Sequence, residues 1–590
     1  MSWPHNNKHI YPVLLLSLGI VLTQCNAKST STTKPTTQKS TKKQVKVVIK
    51  AVPKEAAFPT QFPKPKSTPT SNHDFTSKHF SGSENCAFCH NNITDENDDD
   101  VSIETAWSST MMANSTRDPL WRAKVETEIQ RNPKHKKLLT DKCTRCHAPM
   151  ANVEARKAKK PYDLFGSKGL FQKANPYFHQ AMDGVSCTAC HQIKPTKAMG
   201  TLAGFSGKYV IETFADAVDR KIYGPYNDVI PMPMQNHVDY TPTGSSHISD
   251  SKLCGSCHNL KTPFVDKNGK IIPKTDAQQF PEQMVYSEWK WSAYAKSTKQ
   301  QTCQSCHMTP TSGVIISQRP PWLDTTRSHF GQHIFVGGNK FMLQMMKDNK
   351  QLLGISANNF DFTIKKTAQM LRSAARLEVH NTTFSKGTLS FTVRIVNQTG
   401  HKLPSGYPAR RVFLQVKVRD KNNRVLFFSG KEKPFGEIEG VDADQDAKTF
   451  EPHHKVITKP SQVAVYEAIM QNTDKEVTYT LLRGAKYAKD NRLLPKGFDK
   501  EKAPNDIAVV GAAKTDKDFV GGREDIQYKI PSLPKGPYKI DINLRYQAVS
   551  YRFVRDLLKK PGKYAKQFAY LYVKSPRYSE PIASYQFSYK

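Results

Sequence analysis

The rhythm of polar and apolar positions changes along this chain, and its clearest part lies in the second half. Thr388-Leu-Ser-Phe-Thr-Val-Arg-Ile-Val396, Arg411-Val-Phe-Leu-Gln-Val-Lys-Val418 and Tyr538-Lys-Ile-Asp-Ile-Asn-Leu-Arg-Tyr546 alternate with a period of two. Successive side chains of a strand point to opposite faces, so this period predicts strands with one buried face. Turn residues such as Lys421-Asn-Asn and Pro534-Lys-Gly separate them. Residues 377–590 therefore read as an antiparallel β-sandwich. Just before them, Phe341-Met-Leu-Gln-Met-Met346 and Ile364-Lys-Lys-Thr-Ala-Gln-Met-Leu-Arg-Ser-Ala-Ala375 space their apolar residues as helices do, which makes 341–376 a helical connector. Residues 76–340 show little periodicity of either kind.

The N-terminal part has a different logic. Val13-Leu-Leu-Leu-Ser-Leu-Gly-Ile-Val-Leu22 is an apolar run of ten behind Lys8. It is too short to remain as a membrane span and reads as an export signal over 1–25. Leu22-Thr-Gln-Cys25 resembles a bacterial lipobox, in which Cys25 is lipidated, although Gln24 stands where a small residue is usual; the alternative is a plain signal cleaved near Ala27. Residues 26–75 are rich in Ser, Thr, Lys and Pro and carry one apolar patch, Val45-Lys-Val-Val-Ile49, so a disordered spacer is expected.

Composition changes the picture in two ways. The formal charge is +35 over 590 residues, which favours acidic protein partners and anionic surfaces. The cysteines matter more. Ten of the 11 form five Cys-x-x-Cys-His copies: Cys86/Cys89/His90, Cys143/Cys146/His147, Cys187/Cys190/His191, Cys254/Cys257/His258 and Cys303/Cys306/His307, which leaves Cys25 alone. Two thiols at that spacing can add to the two vinyl groups of one porphyrin, and the following imidazole is then presented to the iron. Zinc knuckles would pair up and need no His after each one, and disulfides need no exact pentapeptide repeat. The expected cofactor is five covalently attached haems c. Their ten propionates, if ionised, would lower the charge to about +25. Nothing else resembles a nucleic-acid module, so no nucleic-acid partner is expected.

A haem is a large apolar disc, and five of them would supply much of the core that 76–340 lacks in aliphatic pattern. An internal repeat is visible there. His79 and His247 each precede a motif by seven residues, Glu104-x-x-Trp107-Ser108 matches Glu288-x-x-Trp291-Ser292, and Met150 and Met308 follow the second motif of each copy. The tryptophans read best as core packing. Second axial ligands are open: His79, His135, His179, His237, His247, His329, His333 and His401 are candidates, with Met111, Met112, Met150 and Met308 as thioether alternatives. His401 lies in Asn397-Gln-Thr-Gly-His-Lys-Leu-Pro-Ser-Gly-Tyr-Pro-Ala-Arg-Arg411, which is either a well-formed loop or a device that hands an imidazole from the β-part to a haem. Lys489-Asp-Asn-Arg-Leu-Leu-Pro-Lys-Gly-Phe498 also stands out; both stretches look like elements of β-domains fused to other multihaem cytochromes.

Three elements carry a family resemblance: Cys86–His90 followed by Trp107-Ser-Ser-Thr-Met-Met-Ala113, Cys143-Thr-Arg-Cys-His-Ala-Pro-Met150, and Gly184-Val-Ser-Cys-Thr-Ala-Cys-His191. Over residues 80–340 the chain resembles the cytochrome c-552/4 (cytochrome c-554-like) multihaem family. The resemblance implies periplasmic or cell-surface electron transfer, with most irons held by two protein ligands. The expected architecture is α+β and multidomain: a mostly helical and loop pentahaem cytochrome c domain over 76–340, then the β-sandwich. The expected function is electron carriage in the periplasm or at the cell surface of a bacterium, by a lipoprotein anchored through Cys25, between redox partner proteins. The alternative is a nitrite- or hydroxylamine-type multihaem oxidoreductase with one open iron. The Cys-x-x-Cys-Lys motif often found in nitrite reductases of that class does not occur here.

Overall fold

A computed structural model describes residues 56–213, 217–298 and 301–590. The expected signal, Cys25 and the first part of the expected spacer lie outside the described residues. The class is α+β. Among the described residues, no helix is long and apolar enough to cross a membrane.

The β-part consists of ten strands in two sheets: β1 Ala375–Ser385, β2 Thr388–Asn397, β3 Arg411–Asp420, β4 Val425–Ser429, β5 Val456–Ile457, β6 Val465–Gln471, β7 Lys486–Asp490, β8 Arg523–Ile530, β9 Tyr538–Gln547 and β10 Glu580–Tyr589. One sheet has the order β5-β8-β2-β1. The other runs β7-β6-β3-β9-β10, with β4 also paired to β3. Leu389, Phe391, Val393 and Ile395 of β2 and Ile540, Ile542 and Leu544 of β9 are buried, so the alternation in the sequence becomes the two inner faces of one core. Phe391 stacks on Tyr528 with ring centres 5.2 Å apart, and Phe587 from the other sheet meets it edge-on at 5.7 Å. The pairing is antiparallel except that β5 runs parallel to β8.

The expected helices occur as Lys340–Asp348 and Phe360–Ser373. The second stops two residues earlier than its apolar spacing suggests, because Ala375 already pairs with Asn397 at the start of β1. Both helices pack on the β-core through Met342, Met346, Phe360 and Leu371.

The motif-bearing segment consists of short helices and long connections. Each Cys-x-x-Cys-His closes a helix: Ser83–His90, Lys136–His147, Cys187–His191, Ser251–His258 and Cys303–His307. Residues 56–75, expected within the spacer, instead follow the folded body without regular structure. Phe58 stacks on Phe435 at 4.7 Å, the Thr68 amide donates to the Leu352 carbonyl, and Arg122 donates to the Thr68 hydroxyl. Sparse apolar side chains suffice to pin this strap because it lands on surfaces already built by others.

A buried ionic network joins the β-part to the helix Val285–Lys290, which lies between the fourth and fifth motifs. Lys402 Nζ lies 2.7 Å from Asp490 Oδ2, Arg492 lies 2.7 Å from the same oxygen, and Arg492 also lies 2.9 Å from Glu288 Oε1. Glu288 Oε2 accepts from the Ser405 hydroxyl and the Lys402 amide. All four charged side chains are at most 7% exposed. Two cations and two carboxylates balance, which is the condition for holding such charges away from water.

Candidate functional site

The five motif imidazoles sit at helix C-termini, and four have their orientation set by a backbone carbonyl. His90 Nδ1 donates to Ile316 O at 2.6 Å, His147 Nδ1 to Ser115 O at 3.4 Å, His191 Nδ1 to Tyr223 O at 2.6 Å, and His307 Nδ1 to Val336 O at 2.5 Å. A carbonyl only accepts, so Nδ1 carries the proton and Nε2 keeps its lone pair. This is the tautomer and the supporting contact that metal-bound histidines use. Burial lowers the pKa of His90 and His191 and pushes His147 and His258 down to about 4, which keeps the rings neutral at pH 7. Neighbouring His307, Arg410 and His401 add to the effect at His258.

Two of the candidate second ligands lie opposite motif imidazoles with nearly parallel ring planes. His333 and His191 have ring centres 6.2 Å apart with planes 20° from parallel, and His401 and His307 have centres 6.3 Å apart with planes 9° from parallel. Stacked rings in contact would be closer. Two imidazoles on a common axis through one metal, each nitrogen about 2 Å from it and each ring centre roughly 1 Å further back, have centres roughly 6 Å apart. His401 Nδ1 donates to Lys402 O at 2.9 Å, so in that pair both Nε2 atoms keep their lone pairs. His333 is half-buried, and desolvation of its ring pushes it down to about 3. Within 397–411, Asn397 and Thr399 donate to the His401 carbonyl and shape the turn that presents its ring.

The remaining candidates are held differently. His79 Nδ1 is 2.8 Å from Glu154 Oε2 and its Nε2 is 2.9 Å from the Thr213 hydroxyl. His247 Nε2 donates to Ile193 O at 2.8 Å, and His179 Nδ1 accepts from the Asn72 amide at 3.1 Å. His329 is exposed at φ +56°. His135 is tied to Gly269 O, and His237 stacks on Phe88. Met150 accepts from the Thr188 hydroxyl on its sulfur. Trp107 and Trp291 use their indole N–H groups on the Val185 and Asp499 carbonyls, in keeping with packing roles.

The cysteines bring the motifs together. Cys86 is in contact with Cys187, Cys146 with Cys257, and Cys254 with Cys303. The first motif therefore adjoins the third, the second adjoins the fourth, and the fourth adjoins the fifth. In the second copy of the repeat the two motifs touch. In the first copy, Cys86 meets the Cys187 motif.

The motif thiols are not all set equally deep. Nine of the ten motif cysteines are half-buried, whereas Cys306 is exposed, with the Ser305 hydroxyl 4.0 Å from its sulfur. The physical reason is local. Its helix, Cys303–His307, is only five residues long and has no buried residue. Cys303 faces inward to Cys254, so Cys306, three positions on, is left on the solvent side. Spacing alone fixes which residues form the motif, but not how deeply each is set.

With that difference, the residues present fit haem: ten paired thiols, no disulfide among them, and four motif imidazoles whose Nε2 keeps its lone pair. What sequence reasoning missed was the set of orienting carbonyls, which carry no side-chain signal, and Trp121, which stacks on His147 at 4.7 Å and 12°.

Beside Cys143 lies a set of buried proton-bearing groups. Glu282 accepts from the Thr262 hydroxyl at 2.7 Å, yet burial pushes its carboxyl up to about 7, with the nearby Glu128 adding to the rise. The Tyr407 hydroxyl is buried without a partner, and burial followed by Glu282 and Glu128 raises its pKa. Between about pH 4 and pH 7, the unfolded chain releases the Glu282 proton while the folded chain keeps it, so stability falls as pH rises. The full loss is about 3 kcal/mol. Glu282→Gln should remove it: denaturant midpoints of variant and parent, compared at pH 4.5 and 8, should diverge in favour of the variant at the higher pH.

No family model matches the chain, and no curated protein matches it. Among solved structures, the chain is similar to a penta-heme cytochrome c552 from Thermochromatium tepidum, at 17% identity and a TM-score of 0.48, over 86% of this chain and 98% of that one.

Proposed function

We propose that this chain is a pentahaem c-type cytochrome that carries electrons one at a time. The observation that carries the reading is the combination of five Cys-x-x-Cys-His motifs with two histidine pairs facing each other at 6.2 and 6.3 Å. When bound, haem would supply a one-electron iron couple at each motif. The chain's own residues would do the rest. Each cysteine pair fixes a ring to a short helix. His90, His147, His191, His258 and His307 serve as proximal ligands, and the carbonyls behind four of them hold the tautomer. His333 and His401 serve as distal ligands to the third and fifth sites, where two strong-field ligands keep reorganisation small. The thiol contacts put the first site beside the third, and the fourth beside both the second and the fifth, so charge could pass within these groups without a diffusing cofactor. The exposure of Cys306 supports the fifth site as the one a partner protein reaches.

The net charge of +35 supports an acidic redox partner, and the features of 1–25 support export and lipidation at Cys25, placing the protein in the periplasm or at the outer membrane. A second reading, reduction or oxidation of a small nitrogen compound at one open iron, is favoured by the Glu282 carboxyl and the unpartnered Tyr407 hydroxyl near Cys143, since such chemistry needs nearby proton donors.

One measurement separates the readings. Protein matured in a host competent for haem attachment should show a mass increase of five haems. Its ferrous absorption spectrum should be unchanged by carbon monoxide, and its ferric EPR spectrum should show only low-spin iron, if every iron has two protein ligands. A haem that binds carbon monoxide and turns over nitrite or hydroxylamine would favour the enzyme, and a mass without thioether-linked haem would end both readings.

A further inference from the structure

Away from the haem motifs, the β-part holds three potential metal ligands that neither reading uses. His453 lies just before β5, Asp516 follows the turn Ala512–Thr515, and Glu524 is the second residue of β8. One ligand atom from each lies within 4.8 Å of the others. His453 Nε2 is 3.2 Å from Asp516 Oδ2 and 3.6 Å from Glu524 Oε1. The side chains are 2%, 1% and 0% exposed. Both oxygens of Glu524 are buried without a hydrogen-bond partner, as are the nearby Tyr466 and Tyr528 hydroxyls.

A buried carboxylate without a donor is costly, and so is one placed beside a second carboxylate. Two outcomes relieve it: a proton on Glu524, or a cation among the three groups. Burial, reinforced by Asp516, Asp525 and Asp518, raises the Glu524 carboxyl strongly. The nearby lysines reach only one edge of the cluster. Lys455 Nζ stands 3.6 Å from the other oxygen of Asp516, and Lys500 donates to the Asp516 and Ala513 carbonyls. A doubly charged ion would balance both carboxylates at once. The two His453 distances fit: atoms bound tetrahedrally to zinc at about 2.0–2.2 Å lie roughly 3.3–3.6 Å from one another.

We propose that His453, Asp516 and Glu524 form a binding site for one divalent first-row transition cation, with Zn2+ as the probe. One imidazole nitrogen with two carboxylates suits this class better than calcium, which takes six or more oxygens. Asn491 sets a condition on capture. Its Nδ2 donates to Val465 O at 2.8 Å and lies 3.2 Å from His453 Nδ1, while its Oδ1 accepts from the Glu467 amide at 3.0 Å. In the metal-free chain the His453 proton therefore sits on Nε2. Binding moves it to Nδ1 and gives up the longest of the three Asn491 contacts. Metal binding needs Glu524 as the carboxylate, so the cation competes with protons for the site.

The test uses the full haem-loaded protein, stripped with EDTA and titrated with zinc chloride by calorimetry, with bound zinc counted by elemental mass spectrometry. One zinc per chain is expected in the parent, with affinity at least tenfold weaker in Glu524→Gln and in His453→Ala and with haem bands identical in all three. Equal zinc binding in parent and variants would overturn the site and leave Glu524 as a buried neutral acid. Should the variants fail to fold, zinc-edge anomalous scattering from crystals of the parent decides, by placing an ion among the three residues or not. The haem reading stands or falls separately, on the mass and the haem spectra.

Discussion

Asp490→Asn is expected to destabilise the folded protein by about 3–5 kcal/mol, the range for removing one partner from a buried ion pair. Asp490 is 2% exposed and is the carboxylate that Lys402 and Arg492 share in the network described above. Asparagine keeps the shape and removes the charge, which leaves two cations against Glu288 alone. The loss should appear as a lower midpoint in denaturant unfolding followed by far-ultraviolet circular dichroism. Pairing the change with Lys402→Met should recover much of it, because the second substitution removes the stranded charge. No recovery in the double variant would mean that packing, and not charge balance, governs this region. The acid limb gives an independent signature. Arg492 and Lys402 overcome the burial cost and hold Asp490 down at about 2. A carboxylate depressed in the folded state stabilises above its unfolded value, near pH 4, and that contribution is lost as pH falls through about 2. The variant should lack this part of the acid transition.

His401→Ala is expected to open one iron, so that the ferrous protein gains a carbon monoxide complex equivalent to one haem in five. His401→Met is expected to raise the midpoint potential of one centre by a sizeable part of the roughly 0.8 V that axial ligands span. The physical reason is the change from imidazole to a thioether, which favours the ferrous state. His329→Ala, at an exposed residue, is the control and should change neither spectrum nor potential. If His401→Ala leaves the carbon monoxide spectrum and all five potentials as they were, the facing of His307 and His401 is only packing. The Asp490→Asn variant links the two experiments. Lys402 follows His401 directly, and its amide is bonded to Glu288. Loosening the network should broaden the EPR signal of the same haem.

The five motifs are legible in the chain because the proposed attachment of haem would demand a fixed local spacing. How deep each thiol is set is not: Cys303 and Cys306 share one motif, and only the fold turns the second outward. The strands are legible for the same reason as the motifs. Leu389, Phe391, Val393 and Ile395 must all face one core, and a period of two is the only way to do it. The partners of the irons are not legible. His333 and His401 lie far along the chain from His191 and His307, and no local pattern encodes which imidazole meets which. The loop around His401 singles it out, whereas the repeat singles out His79 and His247, which are tied to Glu154 and Thr213 and to Ile193 O. The ionic network leaves one trace. Glu288 belongs to the repeated Glu-x-x-Trp-Ser element, but its role depends on Arg492 and Ser405, which only the folded chain supplies.

The carbonyl that orients His90 belongs to Ile316, 226 residues further on. Val336, beyond the last motif, does the same for His307. A chain emerging from its N-terminus thus cannot finish its first site until its last has already passed. The thiols of Cys143, Cys187 and Cys190 are meanwhile crowded by the finished body, which raises their pKa values and so withholds the reactive thiolate. On the proposed function, haem would be loaded at those three thiols before the body closes around them; Ser115 and Tyr223 can orient His147 and His191 early, whereas His90 and His307 are set last.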